Sequence, residues 1–270
     1  MNESLLLALV VGVLQGFFEW LPISSTGQIA LYLAVVEGLP GAAATRFSLF
    51  LHAGTALSAL AYYRDEVAEV LRTLPEWRPS TAFERTPETS FLAVATLVSG
   101  VVGLAAYATI EEVVSALTGG AFVALIGVLL VATGVLQRVA SGALGTRTTP
   151  TLVDALLVGV MQGLAILPGV SRSGSTAGAL LLRGHDGPAS FRLSFLLSIP
   201  AAAGAGLLVL LDEGVPELDP TMAVVALATS AVVGYLTIDA LMRIVDRVAF
   251  WGVCVGLGVL AIVGGGLMLV

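Results

Sequence analysis

Charged positions along the chain are clustered, and they leave long apolar stretches between them. Residues 47 to 63, 89 to 110, 113 to 137, 193 to 211, 220 to 238 and 248 to 270 contain no Asp, Glu, Lys or Arg. A helix crosses a bilayer core with about 20 apolar residues, and about 17 is the lower limit. The pattern therefore predicts six transmembrane helices. Two further apolar stretches, within 1 to 37 and 152 to 183, are shorter and are broken by Pro, Gly and hydroxyl residues. Irregular backbone at membrane depth is tolerated only where it is buried in protein or lines a wet cavity. Each stretch is accordingly read as a re-entrant helical hairpin.

These two stretches resemble each other. Ala8 to Gly16 (ALVVGVLQG) is echoed by Ala155 to Gly163 (ALLVGVMQG), and each copy runs into a Leu-Pro and then a cluster of small and hydroxyl residues, Leu21 to Gly27 and Leu167 to Gly174. A duplication accounts for both features. Placing residues 1 to 37 on the outer side and 152 to 183 on the cytoplasmic side leaves ten arginines inside and only Arg46 outside, beside Glu111, Glu112, Asp212, Glu213, Glu217 and Asp219. That satisfies the positive-inside rule. The expected architecture is an all-α integral membrane protein with six transmembrane helices and two re-entrant hairpins in an inverted repeat. Its halves are 1–140 and 141–270, cut in the polar stretch Arg138 to Pro150. Short, Gly/Pro-broken segments at matching positions of two halves point to a site near the bilayer midplane.

Composition sharpens this picture. With 57% hydrophobic and 11% charged residues, the chain lies beyond the ~45–50% apolar content of soluble domains. All 12 basic residues are arginine against 19 acidic ones, and the net charge is -7. Nucleic acid is excluded as a partner for want of a basic patch. A lysine-free acidic surface is read as adaptation to a high-salt cytoplasm, with GC-rich codons as the alternative. A lone cysteine, Cys254, excludes a disulfide framework or a cysteine metal site. The N-terminus, MNES, has no basic residue and is expected to be retained.

Arg172 is the one basic side chain left at membrane depth, in Pro168-Gly169-Val170-Ser171-Arg172-Ser173-Gly174-Ser175-Thr176. An arginine there costs at least ~2.5–3.5 kcal/mol on insertion scales and requires an anionic partner or water. Its fork suits phosphate or carboxylate oxygens. Gly169 and Gly174 allow close backbone approach, while Ser171, Ser173, Ser175 and Thr176 add hydroxyls near a helix N-terminus that favours an anion. This reads as a phosphate cradle; the plainer alternative pairs Arg172 with a buried acid. Glu19 is the candidate acid, and it shares a helix face with Gln15. General base, metal ligand and counter-ion to Arg172 all stay open for it. Ser24, Ser25 and Thr26 form a second hydroxyl patch, read either as a nucleophile group or as helix capping. His52 lies within an otherwise uncharged span, so it is a structural hydrogen-bonder or a functional group. His185 is expected to be solvated loop surface. The pairs Gly12/Gly16 and Gly159/Gly163 are expected to mediate close helix packing.

At these residues the chain resembles the undecaprenyl-diphosphate phosphatase family, the integral-membrane enzymes also known for bacitracin resistance. That family carries (E/Q)xxxE, matched by Gln15 and Glu19; PxSSTGH, matched from Pro22 to Gly27; and PGxSRSxxT, matched in full from Pro168 to Thr176. The resemblance implies hydrolysis of an undecaprenyl or dolichyl-type polyprenyl diphosphate to the monophosphate, which recycles the lipid carrier. It implies a divalent cation, Mg²⁺ or Ca²⁺, at Gln15 and Glu19, and a site facing outward in a multi-pass cell-membrane protein. By the same resemblance Ser25 is the nucleophile and Arg172 grips phosphate. Substrate is then expected against Ser24, Thr26, Gln28, Ser171, Ser173, Gly174 and Thr176, and a homo-oligomer is compatible with all of this.

Gln28 departs from the family, because it stands where the STGH histidine belongs and glutamine takes no proton near neutral pH. Glu19 is therefore expected to serve as base, with His52 as the substitute of second rank. A polyprenyl-phosphate transporter or flippase is the alternative function, since it would suit an inverted repeat with a midplane anion site. Phosphatases of the phosphatidic-acid type are excluded: they need a lysine and two placed histidines, and this chain has no lysine.

Overall fold

A computed structural model describes residues 3–143, 145–212, 220–245 and 248–269. Its elements are helical throughout: α1 (Glu3–Phe18), α2 (Ser25–Val35), α3 (Gly41–Tyr62), α4 (Arg64–Thr73), α5 (Ala82–Arg85), α6 (Pro87–Ala116), α7 (Gly119–Ala140), α8 (Leu152–Leu164), α9 (Arg172–Leu182), α10 (Gly187–Leu211), α11 (Pro220–Val245) and α12 (Phe250–Leu267). Among the described residues, five helices are long and apolar enough to cross a membrane: α6, α7, α10, α11 and α12. Leu97, Val101, Leu236 and Leu260 are each about 70% exposed along α6, α11 and α12. An apolar surface of that extent marks a lipid-facing belt, and the chain is an integral membrane protein.

The expected span over 47 to 63 lies in α3. That helix has 22 residues, yet it is not among the five, because Arg46, Ser48, His52, Thr55 and Ser58 interrupt its apolar sequence. Positions 111 and 112, expected to separate two spans, fall instead within α6, which runs on to Ala116 and ends at the extended residue Leu117. Glu213, Glu217 and Asp219, and Arg247, one of the ten arginines counted inside, lie outside the described residues.

Both hairpins expected from the Pro/Gly breaks are present as helix pairs, α1 with α2 and α8 with α9. In each, a proline (Pro22 or Pro168) stands in the connecting loop and excludes continued helix. A serine then restarts it: Ser24 caps α2 by accepting from the Gly27 amide, and Ser171 caps α9 by accepting from the Gly174 amide. The paired glycines explain where the hairpins sit. A Cβ on Gly16 would stand 2.7 Å from the Gly234 amide nitrogen of α11, and one on Gly163 would stand 2.6 Å from Val102 Cβ of α6. α1 thus packs on α11 as α8 packs on α6, while α3 packs on α10 and α7 on α12.

His185 corrects an expectation, for it is fully buried and not loop surface. Its Nε2 lies 3.2 Å from Asp154 Oδ2, and its segment pairs with that of Arg147 through the Arg147 amide on Gly184 O and the Asp186 amide on Arg147 O. Sequence polarity suggested solvent; the acid that draws it inside is 31 residues away. Close packing at the hairpins yields a direct test. Gly163→Val should destabilise the protein by about 1–3 kcal/mol through overpacking, read as a lowered thermal midpoint in detergent, whereas Gly100→Val, where an added Cβ meets nothing within 4 Å, should leave the midpoint near wild type.

Candidate active site

The two hairpin tips meet through backbone and hydroxyl groups. Ser24 Oγ accepts from the Gly27 amide at 3.2 Å and from the Gly169 amide at 3.0 Å, so one side chain of the first tip caps its own helix and holds the second tip. To do so Ser24 takes a left-handed backbone (φ 61), a conformation costing on the order of 1–3 kcal/mol outside glycine. Gly27 is required by the same approach, since a Cβ there would lie 2.8 Å from the Gly169 nitrogen. Thr133 of α7 donates to Gly169 O (3.1 Å) and accepts from the Ser171 amide (3.3 Å). Gln137, one turn on, donates to Pro22 O at 2.6 Å, and Cys254 Sγ donates to the same oxygen at 3.1 Å.

Glu19 is the hub of the polar contacts between the tips. Its Oε2 accepts from Gln15 Nε2 (2.9 Å) and Ser25 Oγ (2.8 Å) and lies 3.3 Å from His52 Nε2. Its Oε1 accepts from Arg172 Nη2 at 2.6 Å. His52 Nδ1 lies 2.8 Å from Ser48 O; a carbonyl can only accept, so Nδ1 carries a proton. With Nδ1 so engaged, Nε2 faces Glu19 and lies 3.5 Å from Thr26 Oγ1. Arg172 stacks over Phe195, with its guanidinium carbon 5.8 Å from the ring centroid. Its Nη1 is buried with no hydrogen-bond partner, and so is Gln15 Oε1.

Glu19, Ser24, Ser25, Thr26, His52, Ser171, Arg172 and Ser173 line one small polar chamber. A cavity of about 390 Å³ continues from it, sharing Glu19, Thr26, His52 and Arg172 and running between α6, α8 and α10 to Leu207, Leu208 and Leu211. Small residues keep that slot open, among them Gly100, Gly103, Ala201 and Gly204.

Other expected residues are placed differently. Gln28 donates its amide to Ile23 O and is not part of the chamber. Thr176 bonds Arg172 O and Ser194 Oγ, joining α9 to α10. Gly174 contributes its amide to the Ser171 cap and borders a separate cavity with Pro22 and Gln137. Sequence reading missed Thr55, which Gln15 Nε2 reaches at 3.4 Å, as well as Thr133, Gln137 and Phe195. Thr133 and Gln137, polar residues four apart within an otherwise uncharged span, were the available signal.

Residues 8–263 match the family model described as bacitracin resistance protein BacA. The chain belongs to the BacA family. Among BacA relatives, the undecaprenyl-diphosphatase of Haloarcula marismortui is 55% identical over 264 residues, covering 97% of this chain and 98% of that protein. That of Methanococcoides burtonii is 39% identical over 265 residues, at 96% and 97% coverage. That of Methanopyrus kandleri is 38% identical over 261 residues, at 94% of both chains.

Ser24 gives the site a structural test. Ser24→Ala removes an N-cap and leaves the Gly169 amide unpaired, which should cost about 1–2 kcal/mol; detergent thermal unfolding should show the loss, and Ser24→Thr, which keeps the hydroxyl, should recover part of it.

Proposed function

We propose that this chain is a membrane phosphatase that hydrolyses undecaprenyl diphosphate, or a polyprenyl diphosphate of dolichyl type, to the monophosphate. The observation that carries this reading is the hub at Glu19: a serine hydroxyl, a histidine and an arginine converge on one buried carboxylate, and the arginine keeps a second, unpartnered nitrogen. A phosphate oxygen supplies the acceptor that Arg172 Nη1 lacks. The slot between α6, α8 and α10 takes the adjoining prenyl chain, because apolar cavities of about 300–1,000 Å³ with a few convergent polar groups are the usual form of a ligand site.

Chemistry follows from the hydrogen bonds. Ser25 Oγ attacks the terminal phosphorus while its proton passes to Glu19 Oε2, and the anhydride P–O bond breaks to release polyprenyl monophosphate. Water then attacks the phosphoserine and regenerates Ser25. His52 stabilises the charge on Glu19 and exchanges the proton, so it fills the part that the absent histidine at position 28 leaves vacant. A loose phosphoryl transition state needs positioning and charge stabilisation above all, and Arg172 with the α9 N-terminus provides both. A divalent cation, Mg²⁺ or Ca²⁺, belongs to the same proposal. Gln15 Oε1, a buried oxygen without a partner, and Glu19 would hold it, and no cluster of three or more His, Cys, Asp or Glu exists among the described residues to do so. Hard cations of this kind commonly bind one or two carboxylates and the substrate phosphates. When bound, the ion would neutralise phosphate charge.

For topology, α3 is the sixth span of the proposal, and the two hairpins are re-entrant halves of an inverted repeat opening to the outer face of the cell membrane. Matching contacts support it: α1 on α11 answers α8 on α6, and α2 on α3 answers α9 on α10.

Detergent-purified protein should release inorganic phosphate from polyprenyl diphosphates of C55 and longer, and EDTA should stop it. Arg172→Lys, which keeps charge but loses the fork, should lower turnover tenfold or more, about 1.4 kcal/mol. Glu19→Gln should abolish release, and His52→Ala should cost about 100-fold. Absence of phosphate release from folded wild-type protein would reject the reading. In a Cys254→Ser background, a single cysteine at Ala42 should react with an impermeant thiol reagent added to intact cells, and one at Ser141 should not; the opposite pattern would overturn the outward orientation.

A further inference from the structure

Away from the chamber, at the base of the second hairpin, Asp154 gathers two arginines and a histidine on one fully buried carboxylate. Arg183 Nε lies at 2.8 Å, Arg147 Nη2 at 2.9 Å and His185 Nε2 at 3.2 Å. Thr151 adds its amide at 2.8 Å and its hydroxyl at 2.7 Å. Arg147 also reaches across to Arg183 O at 2.9 Å. Burial opposes ionisation of Asp154, but the hydrogen bonds from Thr151, Arg183 and His185 outweigh it and hold the carboxyl below the usual range. None of these groups lines the chamber.

The cluster joins the start of α8 to the end of α9. Helix α9 has 11 residues, about 16 Å at 1.5 Å per residue, with Arg172 in its first turn and Arg183 as its C-cap. At the tip, the bonds from Thr133 and Ser24 fix the backbone of residues 169 to 171. Between its ends α9 packs on α7, α8 and α10, with Thr176 bonded to Ser194 Oγ, and the cluster adds a charged tie at the end opposite to Arg172.

We propose that Asp154 is a positioning residue for the phosphatase reaction: by clamping Arg183 and His185 it fixes the base of α9, and so fixes where Arg172 meets Glu19 and the phosphate. This rests on the reading of Arg172 as the phosphate-gripping group. A misplacement of 1 Å originating far from the chemistry can cost about 100-fold in rate. Asp154→Asn removes the charge that holds the clamp while preserving shape.

The test is a double-mutant cycle on the full chain in detergent, with phosphate release from a polyprenyl diphosphate as readout and the thermal midpoint measured alongside. Asp154→Asn should lower kcat about 10- to 100-fold with little change in KM. In an Arg172→Lys background it should cost almost nothing more, because the arginine it positions has already lost its fork. Arg183→Gln, which leaves Asp154 with Arg147 and His185, should behave alike with a smaller loss, and it carries the test if Asp154→Asn does not fold. A full-activity Asp154→Asn, or losses that multiply in the double variant, would overturn the clamp. Full activity in Arg172→Lys alone would instead overturn the reading of Arg172 on which the clamp rests.

Discussion

The ion pair between Glu19 and Arg172 at membrane depth is the constraint around which the rest is arranged. Taking both charges out of water costs several kcal/mol per ion, and attraction repays it only with good geometry and further hydrogen bonds. Every neighbour serves that end. Gln15, Ser25 and His52 occupy one carboxylate oxygen, Arg172 occupies the other, and Phe195 covers the guanidinium face. The pair also dictates the backbone. Its partners stand on different hairpins, so the two tips must touch, and contact at backbone distance demands Gly27, the left-handed Ser24 and the positive φ of Gly169. Because Arg172 spends only one terminal nitrogen on Glu19, the proposed function would let it grip a phosphate without breaking the pair, with little reorganisation when charge develops.

Polarity on α3 follows from the same requirement. Ser48, His52 and Thr55 recur at helical spacing on one face, and that face reaches Glu19 and Gln15. A helix so interrupted is a poor lipid-facing span, yet α3 packs between α2, α10 and α11 and presents little of itself to the bilayer. The loss of apolarity that removes it from the helices apolar enough to cross on their own is thus what supplies the site with its histidine.

Much of this was legible in the sequence because it depends on local chemistry. Charge-free runs located the long helices, Pro and Gly located the hairpins, and the isolation of Arg172 among apolar residues announced a partner for it. What was not legible depends on contacts remote in sequence. His52 ranked below Glu19 as base because no motif surrounds it, and only folding shows that it touches Glu19 instead of competing with it. His185 read as surface because its neighbours Gly184, Asp186 and Gly187 are loop-forming, and Asp154 attracted no attention at all. Both errors share one cause: a buried polar cluster has no local signature when each member comes from a different segment.

In the proposed duplication, the two halves are most informative where they differ. Shifting the first hairpin by 147 positions places Gln15 on Gln162 and Ser24 on Ser171, both retained, but Glu19 on Ile166 and Ser25 on Arg172. A symmetric site would bring two carboxylates or two guanidinium groups together at membrane depth, and like charges there cannot both stay ionised at tolerable cost. Dividing the roles removes the conflict: one half keeps acid and hydroxyl, the other keeps the cation. Loss of the second acid also has a use of its own. Ile166 and Ala165 line the large cavity together with Glu19, so the wall that would have carried a second charge is apolar. In the proposed function, a headgroup held between Glu19 and Arg172 would have the slot between α6, α8 and α10 as an apolar direction in which to extend its chain. Asymmetry at two positions lets acid and cation pair, and in the proposed function it would orient the lipid as well.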